Sequence, residues 1–222
     1  MKSTNKIIFF DLDGTLYRFK GGSYKNSPLF SLVMKNAATF IAKKSDLTIE
    51  KAITIRESII NEFGENISLG LEKKFNIDRY EYFNEVWNIP AHKIITTSPN
   101  LHRILLELSS KYKVYLLSDA PAVWVHNVLI ALSVSDVFKK NILTGEGDFR
   151  KSLGNFFPFI IKKLRVNAHN CIVVGDQIET DIIPAKKIGM FTIHITPSKN
   201  TEANICIRSI SELPNALKKI SP

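Results

Sequence analysis

Cysteine is scarce in this 222-residue chain, which contains only Cys171 and Cys206. Each lies in its own short apolar run, so we expect two buried thiols and neither a disulfide nor a metal-binding pair. The five histidines are scattered along the chain, and none shows the spacing of an HExxH motif. The sequence therefore excludes a disulfide-stapled scaffold and offers no support for a zinc centre.

Long hydrophobic runs are also missing. No segment approaches the roughly 18 uninterrupted apolar residues of a membrane span. The first apolar run meets Asp11 before a secretory signal develops. We therefore expect a soluble, cytoplasmic protein with no membrane partner. With 45% hydrophobic residues, the chain can bury the core of one domain, with or without an inserted subdomain.

Acidic residues are in deficit, because 21 Asp and Glu face 30 Lys and Arg, a net charge of +9. A basic surface suits anionic partners, either nucleic acids or phosphorylated metabolites. The basic residues are spread in pairs along helical segments, and the chain has no arginine-rich tract or RNP-like motif. We interpret these pairs as solvated helix faces and expect a small phosphorylated metabolite as partner, with nucleic-acid binding as the alternative.

Short apolar segments rich in Val, Ile and Phe predict the strands. They show no alternation, which is typical of a parallel sheet buried on both faces. Amphipathic segments between them predict flanking helices, one entered at Ser98-Pro99 and one ended by Gly189. The expected fold is α/β, a doubly wound, Rossmann-like parallel sheet. The predicted strands are residues 6–11, 113–119, 171–176, 190–195 and 204–208.

The segment from about Phe19 to Thr97 interrupts this alternation. It contains no convincing strand, and Asp78 with Glu81 forms a capping box at the start of its last helical segment. We therefore expect a helical subdomain at residues 19–97, inserted into a core made of residues 1–18 and 98–222. The four segments with helical spacing are residues 27–44, 48–64, 68–75 and 78–87.

The stretch KIIFFDLDGTLY ends an apolar strand in two carboxylates, Asp11 and Asp13. Alternate residues of a strand point the same way, so the two side chains can converge. Carboxylates that close repel each other unless a cation joins them or one takes a proton. The stretch therefore predicts a site for a cation or for proton transfer.

Three later motifs supply further candidate groups for binding a phosphate or a cation. Each of them alone is also consistent with helix capping or solvation. Ser118 and Asp119 follow a strand and precede Pro121, a plausible first helical residue, so this helix start suits a phosphate. Lys151 precedes a helix that Ser152 could cap, and its ammonium can neutralise phosphate. The carboxylates of VVGDQIETD, Asp176 and Asp181, follow a buried strand and suit Mg²⁺, which prefers oxygen ligands.

Taken in this order, the motifs resemble the haloacid dehalogenase superfamily of phosphohydrolases, over residues 6–18 and 113–195. The chain departs from the family's pattern at two places. The usual Lys-Pro is Lys151-Ser152 here, with Lys162 and Lys163 as alternatives for the lysine, and the usual Thr-Asn is Ser118-Asp119. The resemblance implies a Mg²⁺-dependent phosphatase whose helical insert closes over the site as a cap.

The resemblance also implies a division of labour. Asp11 attacks phosphorus and forms an aspartyl-phosphate, while Asp13 protonates the leaving oxygen and then deprotonates the attacking water. An alkoxide leaving group needs that proton and a halide does not, so Asp13 favours phosphate chemistry over dehalogenation. Gly14 permits a close turn that Thr15 steadies. The implied Mg²⁺ ligands are Asp11, the Asp13 carbonyl, Asp176 and Asp181, and the implied phosphate ligands are Ser118, the Asp119 N–H and Lys151.

Residues 63–87 and 96–120 also resemble, more loosely, the pyrimidine 5′-nucleotidase branch of this superfamily. A nucleoside monophosphate is accordingly the first substrate that we expect. Four rings of the insert are candidates to stack on a base or to fill the core: Tyr80, Tyr82, Phe83 and Trp87. The alternatives are a sugar phosphate, phosphoglycolate, a phosphomutase reaction, or a catalytically silent regulatory or nucleic-acid-binding protein.

Overall fold

The computed structural model describes residues 6–146, 150–198 and 202–220. In these residues the strands are β1 (Ile7–Asp11), β2 (Tyr17–Phe19), β3 (Ile95–Thr97), β4 (Lys113–Leu117), β5 (Ile142–Leu143), β6 (Cys171–Gly175), β7 (Phe191–Ile195) and β8 (Ile205–Ile207). The helices are α1 (Pro28–Ser45), α2 (Ile49–Phe63), α3 (Ile67–Phe75), α4 (Arg79–Val86), α5 (Leu101–Ser109), α6 (Ala122–Ala131), α7 (Ser135–Phe138), α8 (Phe156–Leu164), α9 (Ile183–Lys187) and α10 (Leu213–Lys218).

Six strands form one sheet in the order β5-β4-β1-β6-β7-β8, and every neighbouring pair in it is parallel. The first strand along the chain is therefore central, and the strand order runs outward from it in both directions. This arrangement confirms the predicted doubly wound α/β fold and all five predicted strands. The additional strand, β5, has only two residues, too few to show a pattern in the sequence.

Both faces of the sheet are covered by apolar side chains. Ile8 and Phe10 of β1 pack on the side of α5, α6 and α10. Ile7 and Phe9 point to the opposite side and pack against α8 and α9. Because successive strand residues point to opposite faces, burial on both sides requires the continuous apolar run seen in the sequence.

The four predicted helices of the insert are present as α1 to α4, and they pack side by side, α1 against α2 and α4, and α3 against the same two. The side chain of Asp78 accepts hydrogen bonds from the main-chain N–H groups of Tyr80 and Glu81 at 2.8 and 2.9 Å and starts α4 as predicted. The division into a cap at residues 19–97 and a core on either side remains a proposal.

The expectation of no strand between Phe19 and Thr97 was wrong for the last residues of this segment, which form β3. Strand β3 pairs antiparallel with β2, with Tyr17 opposite Thr97, so the two connections to the insert run side by side. Each strand has three residues, which is too short for periodicity to reveal. The pairing depends on two segments about eighty residues apart meeting in space.

Three local predictions of helix starts were also wrong. Helix α5 begins at Leu101, after Asn100 in a left-handed conformation with φ 70°, and not at Ser98-Pro99. Pro121 immediately precedes α6 and is not its first residue. Ser152 lies within a short 3₁₀ turn, residues 151–153, and α8 begins only at Phe156.

The predicted end of a helix at Gly189 is confirmed. Gly189 follows α9 with φ +87°, the left-handed conformation expected of a residue that ends a helix. Cys171 is buried as expected, whereas Cys206, also expected to be buried, is only partly so. In the described ranges, no helix combines the length and the apolar character that crossing a bilayer requires.

Candidate active site

The predicted site residues meet at one edge of the sheet. Asp11 is the last residue of β1, Ser118 follows β4, and Asp176 follows β6. Because β4 and β6 flank β1 and run parallel to it, their carboxyl ends meet at the same edge. Lys151, on a different connection, also reaches this edge with its side chain.

Three carboxylates form a cluster at this edge, because oxygen atoms of Asp11, Asp176 and Asp181 lie within 4.8 Å of one another. Oδ1 of Asp176 is buried and has no hydrogen-bond partner. Burial, reinforced by the charge of Asp11, raises the pKa of Asp176 to about 8. Burial likewise raises the pKa of Asp181 to about 6, although Lys151 opposes the shift. The ionised carboxylates therefore repel one another, and Asp176 keeps one oxygen atom without a partner.

Lys151 is buried and lies against this cluster. Its ammonium donates hydrogen bonds to Oδ1 of Asp11 and, at 2.8 Å, to Oδ1 of Asp181. Burial by itself would lower the pKa of Lys151, but the two carboxylates outweigh it and raise the pKa, so the ammonium stays charged. The structure thus brings Lys151 to the site, whereas the alternatives, Lys162 and Lys163, are exposed residues of α8.

Two glycines make room for the carboxylates. A Cβ on Gly14, whose φ is +90°, would lie 2.1 Å from Oδ2 of Asp176, and a Cβ on Gly175 would lie 2.3 Å from Oδ2 of Asp181. Both contacts are far below any van der Waals distance, so a larger residue at either position would displace the carboxylate. Thr15 donates a hydrogen bond from Oγ1 to Oδ2 of Asp11 at 2.7 Å. The turn thus holds Asp11 in place, as predicted for Thr15.

The carboxylate of Asp13 lies outside this cluster and has its own set of donors. Oδ1 accepts from the Tyr17 hydroxyl and from the Trp124 indole at 3.0 Å, and Oδ2 accepts from Ser118 Oγ at 3.1 Å. Burial, followed by the nearby Asp11, raises the pKa of Asp13 despite these bonds. Tyr17 and Trp124 were missed by sequence reasoning. The only available signal was their position: Tyr17 comes just after DLDGT, and Trp124 lies in the first turn of the helix that follows Ser118.

Asp119 contributes more than the predicted main-chain N–H. Its two carboxylate oxygens accept hydrogen bonds from the main-chain N–H groups of Lys151 and Ser152, both at 2.8 Å. A side-chain link therefore joins the connection after β4 to the turn that carries Lys151. On the other side of the site, His194 Nε2 lies 2.9 Å from the main-chain oxygen of Asp176. Neither contact was predicted from the sequence.

A cavity of about 520 Å³ lies between the insert and this edge of the sheet. Asp119, Ser152 and Gln177 line one side of it, so it borders the loops of Ser118, Lys151 and Asp176. Tyr80 is half exposed and does not line it. Five aromatic side chains line the insert side, of which two were not among the predicted rings: Tyr24, Phe30, Tyr82, Phe83 and Trp87.

Charged groups at this cavity have partners. Lys25 forms an ion pair with Glu65 at 3.4 Å. Arg150 donates a hydrogen bond from its guanidinium to Oδ1 of Asn66, at the start of α3, at 2.6 Å. The latter bond links the core directly to the insert beside Lys151. The cavity therefore combines an aromatic wall with a charged rim that faces the sheet edge.

The chain is similar to a family of hydrolases and to individual phosphatases. A family model described as haloacid dehalogenase-like hydrolase matches residues 5–189. A glyceraldehyde 3-phosphate phosphatase of Methanocaldococcus jannaschii is 27% identical over 97% of this chain and 98% of its own length. The N-acylneuraminate-9-phosphatase of Homo sapiens is 24% identical over 97% of this chain and 94% of its own.

Solved structures show the same fold. A phosphatase of this family from Thermococcus onnurineus superposes with a TM-score of 0.65 at 22% identity and covers 96% of this chain and 97% of its own. A 2-haloacid dehalogenase from Pseudomonas syringae superposes with a TM-score of 0.64 at 20% identity. The match covers 98% of this chain and 100% of the dehalogenase chain. At these identities the likeness shows the fold alone.

Proposed function

This chain belongs to the haloacid dehalogenase-like hydrolases, and on that premise we propose that it is a Mg²⁺-dependent phosphatase that acts through an aspartyl-phosphate on Asp11. Relatives from both named groups are phosphatases of small phosphorylated molecules, and the chain is accordingly a phosphomonoester hydrolase. The identity of its metal, the identity of its substrate and the roles of its residues are proposals. A cytoplasmic location also remains a prediction from the sequence.

One observation carries the proposal. The ammonium of Lys151 bridges Asp11 and Asp181, and a carboxylate oxygen of Asp176 lies beside them, buried and without a partner. When all three are ionised, three carboxylates around one ammonium leave two negative charges uncompensated, as many as a divalent cation neutralises. A purely structural ion pair would need no third carboxylate.

The residues present fit Mg²⁺. Carboxylate oxygens are the ligands that this ion prefers, and it takes only one or two of them from the protein. Asp11 and Asp176 would hold it with the main-chain carbonyl of Asp13, and Asp181 would bind it directly or orient the ligands. Bound Mg²⁺ would neutralise the carboxylate and the phosphoryl oxygens so that the two anions can approach.

The proposed reaction uses the two aspartates of β1 and the turn after it. A carboxylate oxygen of Asp11 attacks phosphorus, the bond from phosphorus to the leaving oxygen breaks, and Asp13 gives that oxygen a proton. Asp13 then takes a proton from the water that attacks phosphorus, the bond from phosphorus to the Asp11 oxygen breaks, and orthophosphate and the Asp11 carboxylate are released. The hydrogen bonds that hold Asp13 apart from the carboxylate cluster support this separate role.

Three further groups would hold the transferred phosphoryl group. Lys151 brings a charged ammonium to within hydrogen-bonding distance of Asp11. Ser118 offers a hydroxyl beside Asp13, and the main-chain N–H of Asp119 follows it at the start of the α6 connection. Donors fixed in this way stabilise the charge that develops on the phosphoryl oxygens in the transition state.

A nucleoside monophosphate is the first substrate that we propose. The observation in its favour is the cavity, whose insert side carries aromatic rings on which a planar base can stack. The rings of Tyr24 and Trp87 are nearly parallel, with an interplanar angle of 10°. Trp87 is only partly buried, whereas Tyr82 and Phe83 are almost completely buried and belong to the core. Trp87 is therefore the better candidate for stacking.

A sugar phosphate is the second candidate, because the named relatives act on glyceraldehyde 3-phosphate and on N-acylneuraminate 9-phosphate. Phosphoglycolate and a phosphomutase reaction remain in the same chemical class. Displacement of halide is disfavoured by Asp13, since a halide leaving group needs no proton. A catalytically silent protein would have no physical need for the mutually repelling carboxylates of the cluster.

A phosphate-release screen tests the proposal. Nucleoside monophosphates, sugar phosphates and phosphoglycolate are supplied to the full chain with Mg²⁺ and with EDTA, and sugar products are analysed for phosphoryl transfer. We expect orthophosphate release that requires Mg²⁺, with a nucleoside monophosphate among the best substrates. Release from sugar phosphates alone would favour the second candidate, and no release from any compound would overturn the proposed function.

The Asp11→Asn variant belongs in the same screen. The amide cannot attack phosphorus, so turnover should fall at least about a thousandfold, as in other enzymes that lose their nucleophile. The variant should keep its fold, measured by circular dichroism and thermal unfolding. Activity comparable to that of the unchanged protein would remove Asp11 from the role of nucleophile.

A further inference from the structure

We propose that Asp119 is a positioning residue for Lys151, an inference that rests on the proposed function of the site. The two oxygens of its carboxylate accept the main-chain N–H groups of Lys151 and Ser152, both at 2.8 Å. The bonds join residues that are 32 and 33 positions apart in the chain. They hold the main chain of Lys151 against the end of β4, independently of the contacts of its ammonium.

The anchor is itself rigid. Ser118, next to Asp119, donates its main-chain N–H to Leu143 of β5 at 3.0 Å, and Gly145 donates to the main-chain oxygen of Ala120 at 3.2 Å. A Cβ on Gly145 would lie 2.0 Å from the main-chain oxygen of Asp119, so the two connections approach as closely as glycine allows. The position of Asp119 is therefore set by the sheet edge, and its carboxylate transmits that position to the turn of Lys151.

The turn needs such an anchor. Residues 151–153 form a single 3₁₀ turn that ends at Gly154 with φ +69°, and α8 begins two residues later. The ammonium of a lysine sits on a flexible four-carbon stem, so it is placed accurately only if the main chain of the residue is held. With Asp119 at one end and Asp11 with Asp181 at the other, both ends of Lys151 are fixed.

The arrangement also accounts for an acidic residue beside a phosphate site. Asp119 lines the cavity, where a free carboxylate would repel a phosphoryl group. Because it is bonded to two N–H groups, the Asp119 carboxylate directs its charge to the turn instead.

Asp119 and Ser152 are also the places where the chain departs from the usual Asn and Pro. A proline at position 152 would offer no N–H, and an asparagine at position 119 has only one acceptor oxygen. The two departures therefore go together, because Ser152 provides the N–H and Asp119 the second oxygen that accepts it.

The test is a double-mutant cycle on binding of orthovanadate, a phosphate mimic, measured by isothermal titration calorimetry with Mg²⁺. The proteins are the unchanged chain, Asp119→Ala, Lys151→Ala and the double variant. We expect Asp119→Ala to weaken binding about tenfold, the effect of losing hydrogen bonds to a charged acceptor. In the Lys151→Ala background the same change should have an effect of less than about twofold, because the Asp119 carboxylate acts only through Lys151 and the variant keeps the Asp119 main-chain N–H.

Asp78→Ala is the matched control. Asp78 also accepts two main-chain N–H groups, at 2.8 and 2.9 Å, but it does so at the start of α4 in the insert. Its loss should lower the midpoint of thermal unfolding as Asp119→Ala does and leave orthovanadate affinity unchanged. If Asp119→Ala does not fold, Asp119→Asn keeps one acceptor and should give a smaller loss of affinity, again only when Lys151 is present.

The outcomes separate the two proposals. Unchanged affinity in Asp119→Ala, or an equal loss with and without Lys151, would overturn the positioning role while leaving the phosphatase in place. A loss of the same size in Asp78→Ala would also overturn it, because a general loss of stability would then explain the data. If the unchanged chain neither binds orthovanadate nor releases phosphate from any phosphomonoester, the proposed function fails, and the inference fails with it.

Discussion

The indole Nε1 of Trp124 lies 3.0 Å from Oδ1 of Asp13 and donates a hydrogen bond to it. Trp124 is completely buried in the first turn of α6. An indole N–H can only donate, so burial of this ring requires an acceptor at this point. The Tyr17 hydroxyl approaches the same oxygen from β2. Asp13 is thus oriented by groups that do not belong to the carboxylate cluster.

Trp124→Phe should impair proton donation by Asp13 more than phosphoryl binding. We expect kcat to fall about tenfold for alkyl phosphates, whose leaving oxygen needs a proton, because Asp13 loses one of the hydrogen bonds that orient it. The loss should be smaller for p-nitrophenyl phosphate, whose leaving group departs without protonation. Steady-state kinetics on both substrates measures the difference. Equal losses on the two would mean that Trp124 contributes only to packing.

Gly14→Ala should remove the response to Mg²⁺. The new Cβ would overlap Oδ2 of Asp176 at 2.1 Å, so this carboxylate must move away from the cluster. Thermal unfolding with and without Mg²⁺ measures the effect, and we expect the stabilisation by the ion to disappear.

Gly22→Ala provides the control for Gly14→Ala. Gly22 has a similar φ of +85°, and a Cβ added there would meet nothing within 4 Å, so it shares the backbone strain without the overlap. The strain should cost about 1–2 kcal/mol of unfolding free energy, and the response to Mg²⁺ should be retained. An unchanged Mg²⁺ response in Gly14→Ala would contradict the placement of the ion at Asp176.

Without a metal, the protein should lose stability as the pH rises towards about 8. The pKa of Asp176 is raised from 3.8 to about 8 and that of Asp181 to about 6, so the folded protein holds protons that the unfolded chain releases. This stabilisation is complete below the unfolded pKa and is lost as the pH passes through the folded values. The slope is at most about 1.4 kcal/mol per pH unit for each proton released.

Urea unfolding in EDTA between about pH 5 and pH 8.5 measures this dependence. Asp176→Asn is the control, because the amide does not titrate, and its stability should change less over the upper half of this range. Mg²⁺ binds the deprotonated carboxylates, so its stabilising effect should grow with pH. A metal-free stability that rises between pH 6 and pH 8 by the same amount in both proteins would contradict the raised pKa of Asp176.

Trp87→Leu should separate the two substrate candidates. If the ring stacks on a base, KM for a nucleoside monophosphate should rise about tenfold, the upper range for an aromatic pair. The variant should keep its kcat and its KM for p-nitrophenyl phosphate within about twofold, since Trp87 lies on the insert side of the cavity. An unchanged KM for every nucleotide, with a changed KM for sugar phosphates, would favour the sugar-phosphate alternative.

Much of this protein could be predicted from its sequence. The apolar runs before Asp11, Ser118 and Asp176 indicated strands buried on both faces, and helical spacing located the four helices of the insert. Both signals are local, because they depend on which faces of one element must leave water. Once the strands are parallel, their carboxyl ends share one edge, so the meeting of Asp11, Ser118 and Asp176 followed from the sequence pattern and the topology.

Only the tertiary structure decided the rest. The choice of Lys151 over Lys162 and Lys163 depends on which lysine reaches Asp11, and the bonds of Trp124 to Asp13 and of Asp119 to the Lys151 turn join residues 111 and 32 positions apart. The antiparallel pair β2–β3 and the aromatic cavity likewise form from distant segments. Such contacts leave no periodicity in the chain, because a single hydrogen bond or ring contact constrains one side chain and not its neighbours.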